Sequence, residues 1–364
     1  MSINRLYDTW FKRIGQLRDS ERCTRARNMA WLIVGIFLSR SVQLTRIAPK
    51  IPFGIKLPSA VRRLERFIDN PALRVRDWYD PTARDWLSYI ARTTGTLRVI
   101  ADGTKVGFGH QLLMVAVAFQ HRTIPICWTW VPSSRGHSSA FKQLALLSHV
   151  RTLLPAHVTV ILTGDSEFGA VEVMRQLETW HWLYVLRQKT NHQIQCADQP
   201  WQNFGAVLTM AGQSRWLGRG LLTQQHAFAV NLLAHWAIGE KEPWLLATNL
   251  TGRTTTLKAY GYRMWIEEMF GDFKKHGFDL ESTHLRHSAR LSRLTLAVTL
   301  LYTWLIDMGR RVIKNGLRNW VDRAERRDLS IFQIGLRLLD WRLTHELPVA
   351  FQCTMGYSGQ LSGG

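Results

Sequence analysis

LRVIADGT, Leu97–Thr104, is the stretch on which the reading of the fold turns. Leu97 to Ala101 form an apolar, β-branched strand candidate, and Asp102-Gly103 closes the run with turn-forming chemistry. Two more strand candidates follow, the near-continuous apolar run Gln111–Phe119 and Thr123–Trp130. After a loop rich in Ser, Gly and Pro (Pro132–His137), a helix is expected over Ser138–Leu154. A strand then fits Val158–Thr163, closed by Gly164-Asp165, with a helix over Ala170–Thr179 and a strand over Trp182–Leu186. Three hairpin-linked strands, a helix, a strand, a helix and a strand predict an α/β fold: a mixed sheet with helices on both faces. The ends of the first and fourth strands then lie side by side, which carries Asp102 and Asp165 to one rim. Each aspartate alone reads as a turn former. As a pair at those two strand ends they point to a site.

A second stretch, YGYRMWIEEMFGDFK, Tyr260–Lys274, is expected to be one helix. Trp265, Ile266, Met269, Phe270 and Phe273 form its apolar stripe. At roughly 100° per residue, Tyr260, Arg263, Glu267 and Lys274 fall within about 60° of one another on the other face. A carboxylate suits a divalent metal, and flanking Arg and Lys suit phosphate. The plainer reading is a solvated polar face. Glu268 is the competitor to Glu267, but it points about 100° away.

The spacing Tyr-x2-Arg-x3-Glu-x6-Lys resembles the signature of DDE-class insertion-sequence transposases, specifically the insertion-sequence-four family, and all four positions match here. The order of elements around Asp102 and Asp165 is that of the ribonuclease-H-like fold. In this family a β-rich insertion precedes the last catalytic helix, and residues 190–258, with their tryptophans, glycines and alternating runs such as His226–Leu233 and Trp244–Thr248, stand at that place. The resemblance implies a DNA transposase with Asp102, Asp165 and Glu267 as catalytic acids. It also implies excision through a hairpin on the transposon end and synapsis by a homodimer, in a bacterial cytoplasm at the nucleoid.

Composition supports a polyanionic partner. The 364 residues carry a net charge of +20 and a pI near 10.5, which favours nucleic acid first and an anionic membrane second. The excess is mostly Arg, concentrated in residues 1–95 and 285–364, and Arg favours bidentate phosphate contacts. Residues 1–95 read as a helical DNA-binding domain. Ser20 is a candidate cap for a helix reaching Leu38, a short pattern covers Val42–Ala48, and Ser59 could cap Ala60–Ile68, which carries Arg62, Arg63 and Arg66. Another helix fits Pro81–Ala91. The catalytic domain is expected over 96–189 and 259–309, with a helical C-terminal region over 310–345 and a disordered tail over 346–364.

The apolar run Met29–Leu38 is too short to span a bilayer. His284–Gly309, interrupted by Thr295, Thr299 and Thr303, reads as a core helix, and no membrane partner is expected. Cys23, Cys127, Cys196 and Cys353 are scattered without a C-x-x-C pair, which gives no support to a zinc knuckle or disulfide framework.

The three carboxylates could hold two divalent ions roughly 3.5–4 Å apart, with Asp102 bridging. Mg2+ suits oxygen ligands and open positions best, and Mn2+ is a substitute. One ion would activate water or a 3'-hydroxyl and the other the leaving oxygen. Arg263 and Lys274 then clamp phosphate, and Tyr260 donates a hydrogen bond or stacks. Arg187 and Lys189 could hold double-stranded DNA, terminal repeat or target, at the same rim. Glu167, Glu268, Asp272 and Glu281 are assigned solvated or supporting roles. Two alternatives fit the same residues: a ribonuclease-H-like nuclease or resolvase without strand transfer, and a non-cleaving DNA-binding protein descended from a transposase.

Overall fold

The structure, a computed structural model, describes residues 2–52, 54–107, 109–132, 138–197 and 199–349. The chain opens with helices α1 (Ser2–Leu17), α2 (Cys23–Ser39), the single turn α3 (Leu44–Ile47), α4 (Leu57–Asp69) and α5 (Val75–Thr94). Strands β1 (Thr96–Val106), β2 (His110–Phe119) and β3 (Arg122–Pro132) follow as a meander. Then come α6 (Ala140–Leu153), β4 (Thr159–Gly164), α7 (Val171–Thr179) and β5 (Leu183–Arg187). Five more strands are β6 (Gln193–Cys196), β7 (Gln202–Asn203), β8 (Ser214–Leu222), β9 (Phe228–His235) and β10 (Trp244–Thr248). The chain closes with α8 (Arg253–Gly261), α9 (Met264–Phe273), α10 (Ser288–Lys314) and α11 (Ile331–Thr344).

Among the described residues all ten strands join one mixed sheet, ordered β3-β2-β1-β4-β5-β10-β9-β8-β6-β7. β1, β4 and β5 run parallel, and the two flanks are antiparallel. The β-rich stretch after β5 therefore extends the same sheet: β10 pairs antiparallel with β5 through Leu246 and Arg187.

Three local expectations shift. α2 and α4 start without a side-chain cap from Ser20 or Ser59; Arg22 and Lys56 stand at their N-caps, and Pro58 fills the first turn of α4, where a missing N–H costs nothing. α5 begins at Val75 and carries Pro81 inside it. A proline there cannot bond the carbonyl four residues back, and Arg18 Nη1 donates to that carbonyl, Asp77 O, at 3.2 Å. The stretch Tyr260–Lys274 is two helices, α8 ending at Gly261 and α9 starting at Met264. Between them the amides of Tyr262, Arg263, Trp265 and Ile266 donate to carbonyls three residues back, a tightened turn that offsets the two axes.

α10 is long and apolar enough to cross a membrane, yet most of it is buried inside the fold. It packs against α2, α4, α5, β3 and α11. Two of its buried threonines are satisfied locally, while the buried Thr299 hydroxyl has no hydrogen-bond partner. Thr295 Oγ1 donates to Leu291 O at 2.8 Å and accepts from Trp130 Nε1 at 3.1 Å, and Thr303 Oγ1 donates to Thr299 O. One hydrophobic core runs from α1 and α2 through the sheet to α10 and α11, and Tyr79 of α5 donates to Pro125 O of β3 at 2.8 Å. Of the expected tail, residues 346–349 lie back on α1, where Thr9 Oγ1 donates to Val349 O at 3.0 Å. Residues 350–364, Cys353 among them, are outside the described residues, as are 133–137 of the loop after β3.

Candidate active site

The parallel pairing of β1 with β4 ends at Ala101 opposite Gly164. The next residue on each strand is an aspartate, Asp102 and Asp165, and adjacent strands lie roughly 4.8 Å apart. β1 itself does not stop at Asp102. It continues to Val106, hydrogen-bonded only to β2, because β4 has already turned away into the Asp165–Gly169 loop. Asp102 thus sits where one side of a strand has lost its neighbour, a place where its carboxylate can face a cavity while the backbone stays paired.

α9 brings in the third acid. Its buried face, Ile266, Met269, Phe270 and Phe273, rests on β1, β2 and β3. Arg122, the first residue of β3, fixes the helix rotation from its other side. Its Nε donates to Asp272 Oδ2 at 2.9 Å, and its Nη2 lies 3.3 Å from Glu268 Oε2. With Glu268 and Asp272 held there, Glu267 turns to the strand ends. A cavity of about 410 Å³ results, lined by Asp102, Gly103, Thr104, Asp165, Arg263, Glu267, Phe270, Gly271 and Lys274.

Arg263 occupies the centre of this site. Its Nη1 donates to Asp102 Oδ2 at 2.5 Å and its Nη2 to Glu267 Oε1 at 2.6 Å. The other oxygen of Asp102 accepts from Gly103 N at 2.7 Å, and Asp165 Oδ1 accepts from Glu167 N at 3.0 Å. Burial pushes the Asp102 carboxyl up to about 7; Arg263 opposes that rise, and the neighbouring charges of Asp165 and Glu267 add to it. Asp165 is raised as well, chiefly by burial. Burial works against the charge on Arg263, but Asp102, Tyr260, Glu267 and Asp165 outweigh it and its pKa rises.

Among the described residues no three His, Cys, Asp or Glu side chains stand ready as they are to hold a metal ion. The guanidinium fork of Arg263 lies between Asp102 and Glu267. The donors nevertheless fit a divalent cation. All are hard oxygens, they converge on one cavity, and that cavity already takes a positive charge, supplied by Arg263 as a stand-in.

The remaining expected residues divide. Lys274 lines the cavity, with its Nζ 2.9 Å from Glu281 Oε1. Tyr260 does not line it. It is buried on α8 against Trp244, a consequence of the break between α8 and α9, and burial pushes its hydroxyl up to about 12. Arg187 bonds Glu242 Oε2 at 2.9 Å and Pro243 O at 3.0 Å, while Lys189 is exposed beyond the end of β5. Arg62, Arg63 and Arg66 lie elsewhere, in a groove of about 540 Å³ between α2 and α4 shared with Thr24, Arg25, Asn28, Ser59 and Asn70.

Of the acids assigned solvated or supporting roles, Asp272 is buried and paired with Arg122. Glu167 ties the rim together, accepting from Gln111 Nε2 at 2.7 Å and from Ser138 N at 2.5 Å. Gly103 leaves room for this network, since a Cβ there would stand 2.3 Å from Gln111 Nε2. Sequence reading passed over Arg122 and Gln111 because both act across strands, far from any motif.

Three carboxylates and two cations thus line one strand-end cavity. Residues 91–304, well over half of the chain, match the Transposase DDE domain family. The chain belongs to that family of DDE-class DNA transposases. A cryo-EM structure of a piggyBac transposase synaptic complex with hairpin DNA is similar over 97% of this chain and 84% of that one, with a TM-score of 0.42 and 10% identity. At that distance the likeness carries no further argument. No curated protein matches the chain in sequence.

Proposed function

We propose that this transposase cuts at the ends of a transposon and joins the freed 3'-hydroxyls to target DNA, in the manner of the insertion-sequence-four group. The observation that carries the reading is the meeting of Asp102, Asp165 and Glu267, from three separate elements, in one cavity with Arg263 and Lys274. Asp102, Asp165 and Glu267 are the catalytic acids and would hold two Mg2+ ions, or Mn2+ in their place. Bound there, the ions supply Lewis acidity that activates the attacking hydroxyl and offsets charge on the leaving oxygen.

The chain's own groups do the rest. Arg263 and Lys274 present guanidinium and ammonium to the scissile phosphate. Gly103 and Glu167 amides hold the two aspartates in fixed rotamers. Arg122 holds α9 at the rotation that aims Glu267. Arg187 and Lys189 contact DNA at the β5 end of the rim, and Arg62, Arg63 and Arg66 contact the backbone of double-stranded DNA outside the site. Tyr260, buried behind Arg263, supports that side chain.

The sheet order of β1 to β5, with three antiparallel strands followed by two parallel ones, supports a ribonuclease-H-like catalytic unit over 96–189 and 259–309. The strands of 190–258 form its insertion, 1–95 the DNA-binding region and 310–345 a helical C-terminal region. A hairpin on the transposon end and a homodimeric synapse in the bacterial cytoplasm complete the reading. The test is Glu267→Gln assayed on the element's terminal repeats. Retained binding by gel shift with loss of Mg2+-dependent cleavage is expected. Full cleavage by that variant overturns the assignment, and cleavage without joining of precut ends turns it toward a nuclease.

A further inference from the structure

We propose that Arg263 is a built-in counter-cation: it holds the carboxylate site closed until a divalent ion displaces it, and the displaced guanidinium then becomes available to DNA phosphate. The inference rests on the metal-dependent reading above and adds an order of events to it.

Three observations lead here. First, the fork of Arg263 spends its two terminal nitrogens on Asp102 and Glu267, the acids expected to share the ions. Second, the fit is incomplete. Arg263 Nε is buried without a partner, and so is the hydroxyl of Tyr260 beside it. A side chain built to stay in this position would have its third donor satisfied, so the arrangement suits one resting position of two. Third, the pattern recurs in two further cations near the site. Lys274 is held by Glu281 and Arg187 by Glu242, so near the site the chain's own acids stand where phosphates would.

The physical reason is charge. Asp102 is almost fully buried, close to Asp165 and Glu267, and three carboxylates in such a site repel one another unless a cation lies among them. Arg263 supplies it when no ion is bound. A divalent cation carries twice the charge and binds the same oxygens, so the two compete, and each weakens the other by the same factor. Once freed, the fork matches phosphate geometry, and DNA in the cavity would in turn favour the ion-bound state.

The test measures metal binding without DNA or turnover. Mn2+ is titrated into the full-length protein and the free-ion EPR signal is followed for wild type, Arg263→Gln, Arg263→Lys and Asp102→Asn. Arg263→Gln is expected to bind Mn2+ roughly 5–150-fold more tightly than wild type, the range typical of coupled sites. Its melting temperature should be lower than wild type in chelator and should rise more on adding Mg2+. Binding equal to or weaker than wild type overturns the inference. Should Arg263→Gln fail to fold, Arg263→Lys decides: a compact ammonium lacks the planar fork that spans both carboxylates and is held less firmly there, so tighter binding than wild type is again expected, and equal or weaker binding again overturns it. If Asp102→Asn binds Mn2+ as well as wild type, the metal-dependent reading itself fails. If binding needs Asp102 but ignores residue 263, only the displacement idea fails.

Discussion

The strand-end cavity and the groove between α2 and α4 both carry several charged side chains, and they treat them in opposite ways. In the cavity each functional charge has a partner within the chain: Arg263 with Asp102 and Glu267, Lys274 with Glu281. In the groove Arg62 and Arg66 engage no partner among the described residues, while Arg25 is tied to Glu21 and Arg63 to Asn28. Under the proposed function, the two regions divide DNA recognition between them. Cations left open to solvent act at long range and without sequence preference. On the proposal above, a cavity that neutralises itself commits its charges only when ions and phosphate arrive together.

The largest effect is expected at the carboxylates. Asp165→Asn should lower strand cleavage about 10²–10³-fold, as loss of one electrostatic group in a transition-state site does, while gel-shift affinity for terminal-repeat DNA stays near wild type. Loss of DNA binding with it would mean that the cavity and the groove are not separate functions. Next comes the support of α9. Arg122→Met leaves Asp272 buried without its cation and should cost about 3 kcal/mol, as breaking a buried pair does, read by denaturant unfolding. Cleavage should fall with it, because Glu267 loses its aim.

In the groove, Arg62→Ala with Arg66→Ala should weaken DNA binding alike for specific and unrelated duplexes. The slope of log affinity against log salt should fall by about 2, one unit for each phosphate that is no longer neutralised. Cleavage at saturating protein should be unchanged.

The smallest effect concerns pH. Burial pushes Asp272 up to about 7 despite Arg122, with Glu268 adding to the rise. The folded protein therefore holds this proton more tightly than the unfolded chain, and the stability it contributes is present below the ordinary carboxylate range and lost as pH rises to about 7. Melting temperature in chelator should decline over that interval, and Asp272→Asn should flatten the decline. An unchanged slope would remove Asp272 from the account.

Most of the sheet was legible in the sequence. β2, β3, β4, β5, β9 and β10 lie within a few residues of their expected positions, because β-branched and apolar runs bounded by Gly, Pro and Asp have a local cause. Helix starts were less legible. α5 begins six residues ahead of Pro81, since the orphaned carbonyl of Asp77 is taken by an arginine 59 positions earlier. The single helix expected over Tyr260–Lys274 breaks at Tyr262-Arg263, where amides bond three residues back, and no residue-by-residue rule marked that turn. The break is why Tyr260 left the face it was expected to share with Arg263 and Glu267.

From the sequence alone came the candidates for the chemistry: two aspartates after strand-forming runs, and a glutamate spaced between an arginine and a lysine. Residue type and local pattern point to these, since both act over a few bonds. Tertiary structure alone decided what those residues touch. That β1 outlasts its parallel neighbour at Asp102, that Arg122 turns α9 and that Arg263 fills the cavity all depend on contacts between segments up to 161 positions apart. Pairings at such separations follow from how the sheet and helices pack, which no single stretch encodes.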